Sequence, residues 1–150
     1  MLSLLLLHAP FVLIILFSVV TDLKKRLIYD KVTLPGMLYF LLFHAIFNLP
    51  QWHMYVLAGL VLGGIHLLLA IVSKGQIGGG DIKLFTLIGF AIGWDGGFSI
   101  FIYTYLIAGL LALPFLIYIK FFRKREKAVM MPMAPFIALG VITFYLGESF

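Results

Sequence analysis

The chain has 150 residues, of which 63% are hydrophobic and 11% are charged, and its mean hydropathy is +1.15. A soluble domain is nearer half apolar and a quarter charged, so this composition excludes a single small water-soluble core and predicts a membrane protein. Cysteine is absent, which excludes disulfides, thiolate metal sites and a cysteine nucleophile, and the length allows one membrane-embedded domain over residues 1–150.

Six apolar runs are predicted to be transmembrane helices, since a bilayer core takes about 20 apolar residues per helix. In chain order they are Leu2–Val20, Leu34–Leu49, Met54–Ser73, Ile82–Trp94 with a continuation toward Phe98 through the turn-like "WDGG", Phe98–Ile119 and Met130–Gly147. The third and fourth runs carry the motifs Gly59-x-x-x-Gly63 and Gly89-x-x-x-Gly93, which either let helices pack closely or are chance glycines. The fold class is therefore predicted to be all-α and polytopic.

Every Lys and Arg of the chain lies in a loop on the same side of these spans or at the mouth of a helix there. They are Lys24, Lys25, Arg26, Lys31, Lys74, Lys83, Lys120, Arg123, Lys124, Arg125 and Lys127. Because Lys and Arg are enriched in cytoplasmic loops, this side is predicted to be cytoplasmic and both termini to be outside. The net charge of +5 then reflects topology and contact with anionic lipid, and no nucleic-acid partner is expected.

Two aspartates lie at this boundary, Asp22 just after the first span and Asp81 at the start of the fourth. Ionisable groups at a membrane boundary are costly and tend to be functional, although Asp22 can also mark the end of a span and Asp81 can cap its helix. The three glycines Gly78–Gly80 exceed what a cap needs, and they let another chain approach the carboxylate. Two carboxyls in one site of low dielectric tend to share a proton, so the pair can act on a water molecule as general base and general acid.

The same two carboxyls also fit a proton-coupled membrane transporter, and a structural membrane subunit without catalysis is a further alternative. A transporter needs carboxylates along a path across the membrane, whereas the second and fifth spans contribute no charge and the outer half contains no matching acid. The four histidines show no helical pairing that suits a metal. The carboxyl pair therefore does not by itself name the reaction, and neither a metal nor another cofactor is expected.

Three segments carry a family resemblance. They are "DLKKRLIYDKVTLP" at Asp22–Pro35, "GGGDIKL" at Gly78–Leu84 and "MPMAPFIALG" at Met131–Gly140. Together they resemble the type IV prepilin peptidases of the GxGD aspartic protease group: an aspartate followed by basic residues after the first span, the GxGD-x-K-L stretch, and a proline-bearing opening of the last span. The order of the three and their placement beside cytoplasmic span ends also fit that family.

This resemblance implies a multi-pass enzyme of a prokaryotic cell membrane that cuts the short basic leader from pilin, pseudopilin or archaellin precursors on the cytoplasmic side. Asp22 and Asp81 match the catalytic aspartates of the family. Residues expected to contact substrate are Gly78, Gly79, Gly80, Lys83, Pro132 and Pro135. Tyr29-Asp30 stands where the family commonly has proline–asparagine, which makes Asp30 a rival for the first catalytic position.

Larger bacterial members of that family carry a cysteine-rich cytoplasmic insertion and also N-methylate the new terminus. Cysteine is absent from this chain, and its loops leave no room for such a domain. The chain is therefore interpreted as a peptidase without N-methyltransferase activity, resembling the small enzymes of tight-adherence (Flp) pili or of archaeal preflagellin systems.

Overall fold

The computed structural model describes residues 2–73, 77–122 and 132–148. Of the predicted basic positions, Lys74, Arg123, Lys124, Arg125 and Lys127 lie outside the described residues, as does the side chain of Lys120. The assignment of a cytoplasmic side, which depends on these charges, therefore stays a prediction.

The described residues form six α-helices and one short 3-10 turn, which confirms the all-α prediction. The helices are α1 (Leu2–Lys25), α2 (Asp30–Phe47), α3 (Trp52–Val72), α4 (Gly79–Ile92), α5 (Trp94–Phe122) and α6 (Ala134–Glu148). Within the described residues, three segments are long and apolar enough to cross a membrane, namely Leu2–Lys25, Leu49–Val72 and Trp94–Leu111. These helices are those of a membrane protein, and a crossing by all six remains a prediction.

The shortest helix, α4, lies at the centre of the structure. Eight of its 14 residues are buried, and it packs against α2, α3 and α5. Its length corresponds to about 21 Å, less than the bilayer core of about 30 Å. Because α4 is surrounded by other helices, its burial comes from protein contacts, and it can present its N-terminal residues to a site within the bundle.

Glycines explain how closely α3 approaches α4. A Cβ atom added at Gly89 would lie 2.5 Å from the backbone nitrogen of Gly59, and one added at Gly63 would clash with the side chain of Thr86. Small residues at a spacing of four let two helix backbones touch. Of the two readings of these motifs, close helix packing is therefore the one that the structure supports.

The boundary between α4 and α5 differs from the predicted turn at "WDGG". The break is the single residue Gly93, which has a φ of 85° and caps α4 by donating its N–H to the Gly89 carbonyl at 3.0 Å. Trp94 then begins α5, so "WDGG" forms a helical first turn. A positive φ is open to glycine at little cost, which explains how one residue can separate the two helices.

The C-terminal end of α4 is held by a buried histidine of α2. The Nε2 atom of His44 lies 3.0 Å from the Ala91 carbonyl oxygen, and its Nδ1 atom lies 3.1 Å from the side-chain amide of Asn48. Since a carbonyl only accepts, Nε2 carries the hydrogen and Nδ1 accepts from the amide. This bond pairs one of the last carbonyls of α4, which have no partner within the helix.

The opposite end of α4 lies where α1 ends and where α2 and α6 begin. We call this region the aspartate end, defined by Asp22, Asp30, Asp81 and Ala134. Ile28, in the connection between α1 and α2, is buried against Gly80 at the start of α4. The fold thus gathers residues that are far apart in sequence around the first turn of α4.

Candidate active site

Asp22 lies in the last turn of α1, and its side chain is buried with 7% exposure. Its Oδ2 atom accepts a hydrogen bond of 2.9 Å from the backbone N–H of Ala134, the first residue of α6. Backbone N–H groups at the start of a helix have no partner within it, and the partial positive charge there favours a negatively charged group. The N-terminus of α6 is therefore built around the Asp22 carboxyl.

Asp81 occupies the third position of α4, and its side chain is also buried, with 7% exposure. Its Oδ2 atom accepts from the Gly78 N–H at 3.3 Å, while its own N–H donates to the Gly78 carbonyl at 3.1 Å. This is one half of a capping box, because glycine has no side chain for the other half. Asp81 thus caps its helix, as one of the two sequence interpretations predicted, and a cap role leaves the carboxyl available for chemistry.

The environment of Asp81 differs from that of an ordinary surface carboxyl. It lies one residue before the predicted fourth span, outside the segments long enough to cross a membrane. Burial, and to a smaller extent the negative charge of Asp22, raise the pKa of Asp81 to about 6, although the hydrogen bond from Gly78 acts in the opposite direction. A group with this pKa holds its proton in weakly acidic solution, where an ordinary aspartate is ionised.

The two carboxyls are therefore close enough to interact electrostatically but stand in different surroundings. The Asp22 carboxyl accepts a hydrogen bond from the N-terminus of α6. In contrast, burial and the charge of Asp22 raise the pKa of Asp81. Two carboxyls in different surroundings can divide the roles of base and acid. The arrangement can thus supply one carboxyl that takes a proton from water and one that gives a proton.

The three glycines before Asp81 differ in what surrounds them. A Cβ atom at Gly80 would lie 2.7 Å from the Cβ of Ile28, so this position serves close packing of the connection between α1 and α2. A Cβ atom at Gly79 would meet nothing within 4 Å, and one at Gly78 would meet the Asp81 Oδ2 at 3.4 Å. The open surface therefore belongs to Gly78 and Gly79, and contact of any of the three with substrate stays a prediction.

Lys83 and Asp30 form an ion pair that the sequence analysis missed. The Lys83 Nζ lies 2.6 Å from the Asp30 Oδ1, and their side chains are 38% and 55% exposed. The pair joins Lys83, the fifth residue of α4, to the first turn of α2, where a negative charge also suits the helix dipole. Asp30 thus has a cationic partner and open surroundings, unlike the two buried aspartates, and its place as a rival for the first catalytic position stays a prediction.

The two prolines predicted to contact substrate flank the α6 N–H that Asp22 accepts. Pro132 precedes the helix and Pro135 is its second residue, and both are partly buried. Proline lacks an N–H and is favoured in a first helical turn, so this spacing fixes the start of α6 at Ala134. The backbone donor itself carries no signal in the sequence, because any residue type supplies an N–H.

The chain is also similar in sequence to known proteins. A family model described as the type IV leader peptidase family matches residues 9–113. The "Prepilin leader peptidase/N-methyltransferase" of Bacillus subtilis (strain 168) is 31% identical over 141 residues, which cover 93% of this chain and 55% of the relative. The chain therefore spans about half the length of the curated relative that it matches. No solved structure matches the chain.

Proposed function

Because this chain belongs to the type IV leader peptidase family, we propose that it is a membrane aspartic endopeptidase that removes a short basic leader from a prepilin-like precursor. The precursor would be a pilin, a pseudopilin or an archaellin. The observation that carries the proposal is the pair of buried carboxyls, Asp22 and Asp81, brought together from α1 and α4 at one end of the bundle.

In the proposed reaction, a water molecule lies between the two carboxyls. The Asp22 carboxylate takes a proton from this water, and the water oxygen forms a bond to the carbonyl carbon of the scissile peptide. Asp81 gives its proton to the leaving nitrogen as the carbon–nitrogen bond breaks. The leader keeps the water oxygen in its new carboxyl group, the mature protein leaves with a free amine, and a proton passes from Asp22 back to Asp81.

The substrate is proposed to lie across the open surface of Gly78 and Gly79, beside the buried face that Gly80 shares with Ile28. The basic loops support a cytoplasmic location for this end, in a multi-pass protein of a prokaryotic cell membrane. Lys83 with its partner Asp30, and the prolines that shape the start of α6, would border the leader. The name of the Bacillus subtilis relative includes N-methyltransferase, whereas for this chain we propose peptidase activity alone.

The test is co-expression of the chain with candidate prepilin-like precursors in a host that lacks a leader peptidase. We expect a smaller product whose new N-terminus follows the basic leader and carries no methyl group, read by gel shift and mass spectrometry. A panel of precursors that all stay intact would favour the transporter reading, which proton flux in proteoliposomes would then measure directly.

The pH dependence of cleavage follows from the environment of Asp81. As the general acid, Asp81 must be protonated, and its pKa is raised from 3.8 to about 6. We therefore expect kcat/KM for a leader peptide to fall about tenfold per pH unit once the pH exceeds about 6. A pH–rate profile of the purified protein in nanodiscs measures this, and a kcat/KM that increases between pH 6 and 8 would reverse the roles assigned to the two aspartates.

A further inference from the structure

Two buried polar atoms near α4 lack a hydrogen-bond partner among the described residues. They are the Nε2 atom of His66 on α3 and the hydroxyl of Tyr105 on α5. His66 is fully enclosed, with 0% exposure. Buried polar groups are almost always paired in folded proteins, so two such atoms in one place call for an explanation.

Both groups contact the helical turn that follows Asp81. Phe85 lies four residues after Asp81, on the same face of α4. Its ring stacks on His66 with 3.6 Å between ring centroids and on Tyr105 with 6.4 Å, and the His66 and Tyr105 centroids are 5.7 Å apart. The charge of Asp81 also acts electrostatically on Tyr105. Phe85 therefore places the His66 and Tyr105 rings about one helical turn along α4 from Asp81.

The hydrogen-bond partner of His66 determines which ring nitrogen donates and which can only accept. Its Nδ1 atom lies 2.8 Å from the Leu62 carbonyl oxygen. A carbonyl only accepts, so Nδ1 carries the hydrogen, and an uncharged imidazole then has a bare Nε2 that can only accept. Tyr105, whose ring centroid lies 5.7 Å from that of His66, carries a hydroxyl that can donate to such an atom. The tyrosine oxygen is then left with free lone pairs and no further hydrogen to give.

We propose that Tyr105 and His66 are positioning residues that form a directional hydrogen-bond chain beneath Asp81. The Asp81 carboxyl, while it holds its proton, donates to the Tyr105 oxygen directly or through one water. Tyr105 donates to the His66 Nε2, and the His66 Nδ1 donates to the Leu62 carbonyl. Because this hydrogen-bond chain presents an acceptor to Asp81, it stabilises the protonated form of the Asp81 carboxyl. The inference rests on the proposed function, in which Asp81 is the acid.

Other titratable groups also face this end of α4, and the test must separate their effects. Within the described residues they include Asp22 of α1, Asp30 of α2 in its ion pair with Lys83 of α4, and the proposed pair His66 and Tyr105. Lys24, Lys25 and Arg26 lie at and just after the end of α1. Asp22 acts on Asp81 through its charge, which a tyrosine hydroxyl lacks. Removing the hydroxyl therefore tests the hydrogen bond while every nearby charge is kept.

The experiment is a pH titration of the Asp81 carboxyl by infrared spectroscopy, on the whole chain in lipid nanodiscs and without substrate. The band of the protonated carboxyl is assigned by its loss in Asp81→Asn. We expect Tyr105→Phe to lower the midpoint by about half a unit to one unit, because the protonated form loses its acceptor. His66→Phe, which keeps an aromatic ring against Phe85, should lower it similarly, and the double variant should lower it no further.

Tyr103→Phe is the matched control, since it removes a hydroxyl from the same helix two residues away and should leave the midpoint unchanged. An unchanged or raised midpoint in Tyr105→Phe would overturn the proposed hydrogen-bond chain. An unchanged midpoint means that the hydroxyl does not bond to Asp81, and a raised midpoint means that it donates to the carboxylate. If His66→Phe does not fold, Tyr105→Phe alone decides the result. A lowered midpoint in a protein that cleaves no precursor would contradict the peptidase proposal and leave the hydrogen-bond chain standing.

Discussion

Replacing either buried aspartate by asparagine, in Asp22→Asn or in Asp81→Asn, is expected to reduce leader cleavage by about 10²–10⁴-fold, the usual contribution of a positioned acid or base. An amide has nearly the shape of a carboxyl, so the hydrogen bonds from Ala134 and Gly78 can still form, but it cannot take up or release a proton. Initial rates of precursor cleavage by purified protein measure the loss, and the amount of protein in the membrane shows that insertion is intact.

Two exposed aspartates provide comparisons: Asp95 is the matched control, and Asp30 is the rival for the first catalytic position. Asp95 lies at the start of α5, and Asp95→Asn removes its carboxyl. Asp30→Asn removes a carboxyl that is 55% exposed and paired with Lys83. An exposed ion pair contributes about 0–1 kcal/mol, so Asp30→Asn should change the rate by no more than about fivefold. Loss of cleavage in Asp30→Asn together with full cleavage in Asp22→Asn would move the catalytic role to Asp30.

Gly89→Ala is expected to destabilise the folded protein more than a Gly→Ala substitution at any other glycine of α3 or α4. The new Cβ would lie 2.5 Å from the backbone nitrogen of Gly59 and 2.7 Å from the carbonyl carbon of Ala58. Backbone atoms cannot rotate away as a side chain can, so α3 and α4 must separate. We expect a loss of about 3 kcal/mol, at the upper end of the usual cost of overpacking. Thermal unfolding in detergent measures this, together with the loss of cleavage that follows from moving Asp81.

Gly64→Ala is the control for this variant. Gly64 is also in α3, and an added Cβ would meet nothing within 4 Å. Both substitutions exchange glycine for alanine inside a helix, which by itself favours the helix by about 1 kcal/mol, so that contribution cancels in the comparison. Equal melting temperatures for the two variants would show that α3 and α4 do not touch at Gly89.

The sequence predicted the six helices and the two aspartates because both leave strong local signals. Apolar runs define the helices, and a carboxyl in such a chain stands out at Asp22 and Asp81. Helix ends were less predictable: the turn expected at "WDGG" is instead helical, because the single residue Gly93 provides the break. Apolar composition also does not tell lipid contact from protein contact, so the central place of α4 could not be read from its sequence.

Partners across the bundle were beyond prediction for a different reason. The ion pair of Lys83 with Asp30 joins residues 53 positions apart, and the hydrogen bond from Ala134 to Asp22 joins residues 112 positions apart. Neither pairing has a local pattern, and the second uses a backbone atom that every residue type except proline supplies. The contacts of His66 and Tyr105 with Phe85 likewise emerge only when α3, α4 and α5 are packed together.

The hydrogen bond between Ala134 and Asp22 also has a consequence for how such a gene can be shortened. The family match ends at residue 113, before α6 begins, yet the first N–H of α6 is a partner of the Asp22 carboxyl. A fragment cut at the edge of the matched region would encode both aspartates without the donor that meets one of them. The site therefore depends on a residue beyond the stretch that the family model matches, and a shortened gene must still encode the start of the last helix for the site to be complete.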